Sequence, residues 1–253
     1  MGSGDLTSPE EIVREAERRI AARAASPAPP GDPPPAPQST SAVRALKRGV
    51  SRLARHWVAA LNLAIALYLG GAIAAPVAMH LDRPGLARAL YTFYGPFCHQ
   101  YPHRSFFLFG EAAAYPLTSP QTAGEMVAHR HDLGDPHLGY KMALCQRDIA
   151  IYGMMLLAGL VYGPLRKVVR IPALPLWLYF LFGILPMALD GGVQWISNAI
   201  WTLFPRLIGE PFETIPLMRV LTGALFGLGV IAVGYPLLAE YFDDVRDKVT
   251  GDK

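Results

Sequence analysis

The chain has 253 residues, of which 52% are apolar and 17% are charged, with a formal net charge of +3. Soluble proteins carry roughly 25% charged residues, so this composition points to an integral membrane protein. The abundance of Phe, Tyr and Trp excludes intrinsic disorder for most of the chain. Two cysteines are too few for a disulfide-dense scaffold or a ferredoxin-like cluster protein.

The first 56 residues differ in composition from the rest of the chain. Ser8, Pro9 and Glu11 have the pattern of a capped helix start, which predicts a short amphipathic, cytoplasmic helix within residues 1–25. Residues 26–56 begin with a proline-rich stretch and end with clustered arginines and lysines. We expect them to form an extended linker followed by a basic membrane flank.

Four apolar runs predict an all-α, polytopic membrane domain over residues 57–240. A helix needs about 20 apolar residues to cross a hydrocarbon layer about 30 Å thick. The runs cover approximately residues 57–79, 149–165, 172–196 and 215–239, and residues 241–253 follow as a cytoplasmic tail. The second run is the shortest and reaches full length if it includes residues 142–144. Gly223 and Gly227 have the spacing that lets two helices approach closely.

The distribution of Lys and Arg predicts that both termini are cytoplasmic. Residues 41–56 carry five basic residues and the short link 166–170 carries three, whereas residues 197–214 carry one. Because basic residues concentrate in cytoplasmic loops, the chain is expected to lie N-in and C-in in the inner (plasma) membrane. Its expected partner is the lipid bilayer, with the basic residues flanking the membrane, and no nucleic-acid-binding stripe is present in the sequence.

The long segment between the first two spans is expected to be extracytoplasmic. Residues 86–109 are rich in aromatic side chains, which predicts short helices at the membrane interface. Residues 117–140 are polar and rich in Thr, Gly and His, which predicts a solvent-exposed excursion.

Both cysteines and six of the seven histidines lie in or beside this outer segment. If its two ends meet, Cys98, His99, Cys145 and Asp148 supply four ligands for a tetrahedral metal ion such as zinc. Two other interpretations stay open, namely a Cys98–Cys145 disulfide, which an extracytoplasmic compartment permits, and two separate thiols. Asp148 alternatively caps a helix that begins at Ile149.

Polar residues at membrane depth predict a pocket beneath this site. The candidates are Arg104, Arg147, Asp190, Gln194, Arg219 and Thr222. Asp190 and Gln194 are four residues apart and share one side of the third span. Such groups point into the bundle or toward a wet cavity, where they hold a proton, an ion or a polar headgroup. The alternative is an Asp190–Arg219 ion pair that locks two spans together. Arg104 and Arg147 either bind an anion at this site or reach toward lipid headgroups.

Four of these motifs resemble a known family. The strings Cys98-His99-Gln100, Cys145 to Asp148, Asp190 to Gln194, and Arg219 to Gly227 follow the order seen in the bacterial family of predicted membrane proteins called domain of unknown function 2085. The resemblance covers approximately residues 90–238 and implies an integral membrane protein with a polar site on its outer face. Many members have Cys-x-Arg-Cys where this chain has Cys145-Gln146-Arg147-Asp148, so that a carboxylate replaces one thiolate. The resemblance supplies no established activity.

Three function classes remain open from the sequence. The first is a metal-binding membrane protein, with or without catalysis on a membrane-delivered substrate. The second is a small transporter. The third is a structural or assembly subunit of a larger membrane complex, or a homo-oligomer, in which the cysteines form a disulfide. The common GxSxG, HExxH, Walker and GxGxxG motifs are absent from the sequence.

The topology is testable by cysteine labelling of intact spheroplasts. With Cys98 and Cys145 replaced by serine, single cysteines placed in residues 117–140 or 197–214 should react with a membrane-impermeant maleimide added outside. Single cysteines placed in residues 166–170 should react only after lysis. The reverse pattern would overturn the predicted orientation.

Overall fold

The computed structural model describes residues 9–25, 41–115, 133–204, 206–207 and 211–250. The predicted cap residue Ser8, the proline-rich linker and most of the polar excursion at 117–140 lie outside the described residues. The chain divides into two compact units, Met1–Ala45 and Leu46–Lys253. In the first unit, helix α1 covers Pro9–Ala25, and its first turn contains Glu10 and Glu11. These acidic side chains suit the positive end of the helix dipole.

The larger unit is mostly helical, which confirms the predicted fold class. Its elements are α2 (Ser41–His80), α3 (Pro84–Tyr94), β1 (Ser105–Leu108), β2 (Gly134–Asp135), β3 (Gly139–Cys145), α4 (Gln146–Leu165), α5 (Leu176–Leu203) and α6 (Pro216–Thr250). The first residues of α2, up to Ala45, belong to the first unit. Four of these helices, α2, α4, α5 and α6, are long and apolar enough to cross a membrane. The four apolar runs noted in the sequence therefore correspond to four helices.

The basic flank before the first apolar run is part of helix α2, which is 40 residues long and begins at Ser41. Inside the larger unit, Trp57 near this flank is almost fully buried. It packs against Tyr162 of α4 and Tyr235 of α6, with ring centroids 6.5 and 5.2 Å away. One turn further along α2, Asn62 accepts a 2.8 Å hydrogen bond from the Tyr235 hydroxyl. These contacts hold three helices together at one end of the bundle.

Helices α4 and α6 form the closest helix pair of the bundle. A Cβ atom added at Gly223 would lie 2.6 Å from the Arg147 carbonyl oxygen, and one at Gly227 would lie 2.4 Å from that of Ile151. Only glycine fits at such distances, because the obstructing atoms belong to the backbone. The Gly223 and Gly227 spacing noted in the sequence therefore marks the helix–helix contact.

Helix α5 contains two π-helical stretches, Phe180–Ile184 and Ala188–Gly192, on either side of Pro186. Proline lacks the N–H needed for a regular helical hydrogen bond, and its ring crowds the preceding turn. Wider π turns accommodate this disturbance, as is common at functional sites. The helix begins at Leu176 and ends at Leu203, so it lies further along the chain than the predicted run 172–196.

The segment between α2 and α4 contains a small sheet that the sequence analysis missed. After α3 and one 3₁₀ turn at Pro102–Arg104, the chain forms an antiparallel sheet in the order β1-β3-β2. Residues 105–108 are therefore a strand instead of an interfacial helix. Residues 142–144 likewise belong to β3 and not to the second span. In β1, and in β3 as far as Ala143, buried and less buried residues alternate, as expected when one face of a sheet is covered.

The sheet fixes the position of Cys145, the residue directly before α4. Ser105 of β1 pairs with Cys145, the last residue of β3, and α4 begins at the next residue. The Tyr91 hydroxyl of α3 donates a 2.5 Å hydrogen bond to the Lys141 carbonyl of β3. Helix α3, the sheet and the start of α4 are thereby joined at one end of the bundle, which we call the sheet end.

The α4–α6 contact makes a packing prediction. Gly227→Ala should destabilise the protein by roughly 1–3 kcal/mol, because two backbones must separate to admit one methyl group. Gly234→Ala in the same helix is the matched control, since no described atom lies within 4 Å of its added Cβ. Thermal unfolding in detergent should show a melting temperature several degrees lower for the first variant and unchanged for the second. Equal melting temperatures would contradict this packing.

Candidate functional site

Three of the four predicted metal ligands lie together at the sheet end. The ligand atoms of Cys98, Cys145 and Asp148 are all within 4.8 Å of one another. Cys98 follows α3, and its backbone N–H donates a 3.0 Å hydrogen bond to the Tyr94 carbonyl at the end of that helix. The fold thus brings a residue 47 positions away in the sequence to the β3–α4 junction.

The β3–α4 junction positions the other two ligands. Cys145 has extended backbone angles at the N-cap of α4, and Asp148 lies in the first turn, three residues later. The Cys145 thiol donates to Asp148 Oδ2 over 3.1 Å. Because α4 begins at Gln146, Asp148 is inside the first turn, so the expectation that it caps a helix beginning at Ile149 is wrong. Its carboxylate nevertheless lies where the helix dipole favours negative charge.

The structure does not bring His99 into this cluster. Its exposed ring stacks on Tyr101, with centroids 5.6 Å apart and planes 10° apart. The described residues contain one group of three His, Cys, Asp or Glu ligands close enough to hold a metal ion, and His99 is outside it. His99 does line the cavity in front of the cluster.

Both cysteines are free thiols in the structure. The neighbouring Cys145 thiol lowers the pKa of the Cys98 thiol below its usual value. The contact with Cys98, burial and the nearby Asp148 carboxylate raise the pKa of Cys145. Cys98 is therefore the thiol that ionises more easily, and a thiolate is the form that binds metal.

Beside the cluster, Glu213 accepts hydrogen bonds from three different elements. This carboxylate, 12% exposed, receives two hydrogen bonds from Arg104, with Nε 3.1 Å from Oε2. Arg219 Nη2 of α6 donates over 2.7 Å, and the Gln194 amide of α5 donates as well. One loop carboxylate therefore connects the residue before β1 to two membrane-spanning helices.

A second ion pair lies deeper in the bundle. Arg147 of α4 donates to Asp190 of α5 over 2.5 Å and to Gln194 over 3.1 Å. The Thr222 hydroxyl of α6 lies 3.0 Å from the same Asp190 oxygen. The expected Asp190–Arg219 ion pair is therefore wrong, because Asp190 pairs with Arg147 and Arg219 pairs with Glu213. Asp190 does join α5 to its neighbours, through Arg147 of α4 and Thr222 of α6.

Arg219 is the most deeply buried of these arginines, with 3% of its side chain exposed. It also donates to the His103 carbonyl over 3.0 Å and to Gln146 Oε1 over 3.2 Å. Gln146 in turn donates to the Ser105 carbonyl of β1. This chain of hydrogen bonds continues the network from the bundle into the sheet.

Three members of the network, Glu213, Gln146 and His103, were not predicted from the sequence. His103 is 1% exposed, and within the described residues neither of its ring nitrogens has a hydrogen-bond partner. Its Nε2 lies 3.4 Å from Glu213 Oε1. Burial lowers the pKa of His103, which favours the neutral imidazole. Burial alone would raise the pKa of Glu213, but the nearby His103 ring and the hydrogen-bonded Arg104 guanidinium outweigh it and lower that pKa to about 2.

A cavity of about 560 Å³ connects the two groups of residues. Cys98, Cys145 and Asp148 lie on one part of its wall, and Arg104, Arg147, Gln194 and Arg219 on another. All six residues predicted to line a polar pocket thus belong to one hydrogen-bonded network, four of them directly on the cavity. Asp190 and Thr222 act from behind this wall.

Comparisons with known proteins agree with this architecture. Residues 137–233 match the model of the family described as "Predicted membrane protein (DUF2085)". The matched segment includes the β3–α4 junction, Asp190 and Arg219. It begins after Cys98 and is shorter than the predicted range 90–238. The match supports the family suggested by the motifs.

One relative is archaeal. The chain is 27% identical to the uncharacterized protein MJ1492 of Methanocaldococcus jannaschii over 151 residues, which cover 60% of this chain and 69% of that protein. The bacterial origin suggested by the resemblance is not confirmed by this match. No solved structure matches the chain significantly.

The Glu213 contacts predict a stability effect. Glu213→Gln removes the negative charge opposite Arg219 and should cost about 3–5 kcal/mol, because a buried guanidinium loses its counter-ion. Since the folded-state pKa of Glu213 is about 2 and its ordinary value is 4.5, its stabilising effect is complete above pH 4.5 and disappears as the pH falls toward 2. The melting temperature of the native protein should therefore fall over this range, and more steeply than that of the variant.

The control for this prediction is Glu240→Gln, which changes an exposed glutamate on α6. It should leave both the melting temperature at neutral pH and its low-pH slope unchanged. An unchanged melting temperature for Glu213→Gln would show that Glu213 does not hold the network together.

Proposed function

We propose that the protein binds one divalent metal ion, most suitably zinc, through Cys98, Cys145 and Asp148. The observation that carries this proposal is the meeting of three ligand atoms within 4.8 Å from separate parts of the fold. Two sulfur ligands of a tetrahedral zinc ion lie about 4 Å apart, so side-chain adjustments of less than 1 Å bring this cluster to metal-binding distances. Two thiolates and a carboxylate are ligands that zinc accepts well.

A three-ligand site leaves one coordination position for water or a bound molecule, which is typical of catalytic zinc sites and not of structural ones. Here the cluster lies on the wall of the 560 Å³ cavity, so that position would face the cavity. When bound, the ion would polarise an oxygen of a molecule held there. Gln194 and the network arginines would orient that molecule, because they line the same space.

The compartment follows from the basic residues. The link between α4 and α5 and the flank of α2 are rich in Arg and Lys, and both lie at the opposite end of the spans from the sheet. By the positive-inside rule, the metal cluster and the sheet are extracytoplasmic, and both termini are cytoplasmic. We place the protein in the plasma membrane on this basis. Association with other membrane proteins or with a second copy is compatible with the site.

Elemental analysis of the purified, detergent-solubilised protein tests the metal proposal. The wild-type protein should contain close to one zinc per chain, and Cys98→Ser and Cys145→Ser should lose it. Asp148→Asn should bind zinc more weakly, because it removes the anionic ligand. His99→Ala is the matched control and should retain zinc, since His99 is outside the cluster.

The intact mass distinguishes the main alternative. A protein without metal whose mass is two hydrogens below that of the reduced chain would contain a Cys98–Cys145 disulfide, and the metal proposal would be wrong. Full zinc content in both cysteine variants would also overturn it, because the ion would then be bound elsewhere.

A further inference from the structure

The cavity at the sheet end has two chemically different walls. One wall presents the guanidinium groups of Arg104, Arg147 and Arg219, and among the described residues Asp148 is the one acidic residue that lines the cavity. The other wall comes from the last turns of α5 and is mostly aromatic and aliphatic, with Asn198 and Thr202 among its polar side chains. A molecule that fills this space must therefore match positive charge on one side and apolar surface on the other.

The arginines are held from behind by carboxylates that do not line the cavity. Glu213 binds Arg104 through Nε and Nη2, and Asp190 binds Arg147 through the same two nitrogens. Among the described residues, the remaining Nη1 groups of Arg104 and Arg147 have no hydrogen-bond acceptor. Their orientation is thus fixed before anything binds, which lowers the entropic cost of binding an anion.

The apolar wall is open toward the surroundings of the bundle. Trp195 and Leu203 line the cavity and are each 71% exposed, and Phe97, which also lines it, is 62% exposed. Trp201 lines the cavity as well. Exposed apolar side chains on a membrane-spanning helix face lipid, and tryptophans favour the depth of the headgroups. The cavity therefore opens sideways, at the level where lipid headgroups meet acyl chains.

We propose that this cavity binds the phosphate headgroup of an amphiphile that enters from the bilayer. The phosphate oxygens accept hydrogen bonds from the two free Nη1 groups of Arg104 and Arg147. Guanidinium suits this task because its planar donors match phosphate oxygens. The apolar part of the ligand lies against Trp195 and Trp201. This inference deepens the proposed function, because the metal cluster lies in the same cavity, but the arginines hold the phosphate without the metal.

The experiment measures quenching of tryptophan fluorescence in the purified, detergent-solubilised protein, since two of its four tryptophans line the cavity. Three probes separate the possible ligands: dioctanoyl phosphatidic acid, dioctanoylglycerol and inorganic phosphate. The first should bind about a hundredfold more tightly than the other two, because it alone offers both parts of the ligand. Equal affinity for dioctanoylglycerol would overturn the phosphate site. Equal affinity for inorganic phosphate would overturn the amphiphile.

Variants then assign the binding to the two walls. Arg104→Gln and Arg147→Lys should weaken phosphatidic acid about ten- to hundredfold, since each loses a planar, charge-assisted donor. Arg88→Gln is the matched control, because Arg88 is an exposed arginine of α3 outside this cavity. It should leave the affinity unchanged, and an equal loss in this variant would overturn the proposal. Trp201→Ala should weaken phosphatidic acid several-fold without affecting inorganic phosphate.

Zinc content measured on the same samples separates this inference from the metal proposal. Phosphatidic acid binding that persists in zinc-free Cys145→Ser supports the arginine site. Loss of binding in that variant, with full binding in Arg104→Gln and Arg147→Lys, would assign the headgroup to the metal and overturn the inference. Zinc-loaded protein that ignores phosphatidic acid would overturn this inference alone. Zinc-free wild-type protein that binds it would overturn the metal proposal alone.

Discussion

The structure at the sheet end depends on the need to neutralise a buried arginine. Arg219 lies near the start of α6 with almost no exposed surface, and an unpaired guanidinium there would be very unfavourable. Glu213 meets this need from only six residues away, on the connection that precedes the helix. Because the same carboxylate also accepts from Arg104 and Gln194, the sheet, α5 and α6 share one anchor. The position of the cavity wall follows from that single anion.

The side chains at the junction between β3 and α4 reach different neighbours, because successive helical residues point about 100° apart. Cys145 and Asp148 face Cys98, Gln146 turns toward the sheet, and Arg147 reaches Asp190 in α5. Four consecutive residues thus serve three neighbouring structures. The family match, which covers residues 137–233, includes this junction near its beginning.

Hydropathy was sufficient to predict four spans, because the cost of exposing backbone and polar groups to lipid makes long apolar helices easy to recognise. Asp190, Gln194, Arg219 and Thr222 were also recognisable, since polar groups within apolar spans are rare. Their pairing was not. Depth alone suggested Asp190 with Arg219, but Glu213 was overlooked because it lies in a loop, where an acidic residue attracts no notice. The prediction therefore gave Arg147 no ion-pair partner, although in the structure it pairs with Asp190.

The sheet and His99 show a different limit of sequence reasoning. Short apolar stretches such as Ser105–Leu108 fit either a strand or part of a helix, and only their pairing with β3 decides. His99 was included because it follows Cys98 directly. Outside a helix, adjacent side chains commonly point apart, and here one faces the buried cluster while the other stacks on Tyr101.

The two π turns of α5 determine the angular position of the residues beyond them. A π turn contains about one residue more than an α turn, so each one advances the following residues by about 100° around the helix axis. Gln194 and Asn198 follow both stretches, at Phe180–Ile184 and Ala188–Gly192. In a regular helix of the same sequence, the face that now meets Arg147 would be rotated away from it. The residues of the third span before and after the π turns therefore face in different directions around the helix axis. The number of residues in these turns is as important to the site as the identity of the residues that follow.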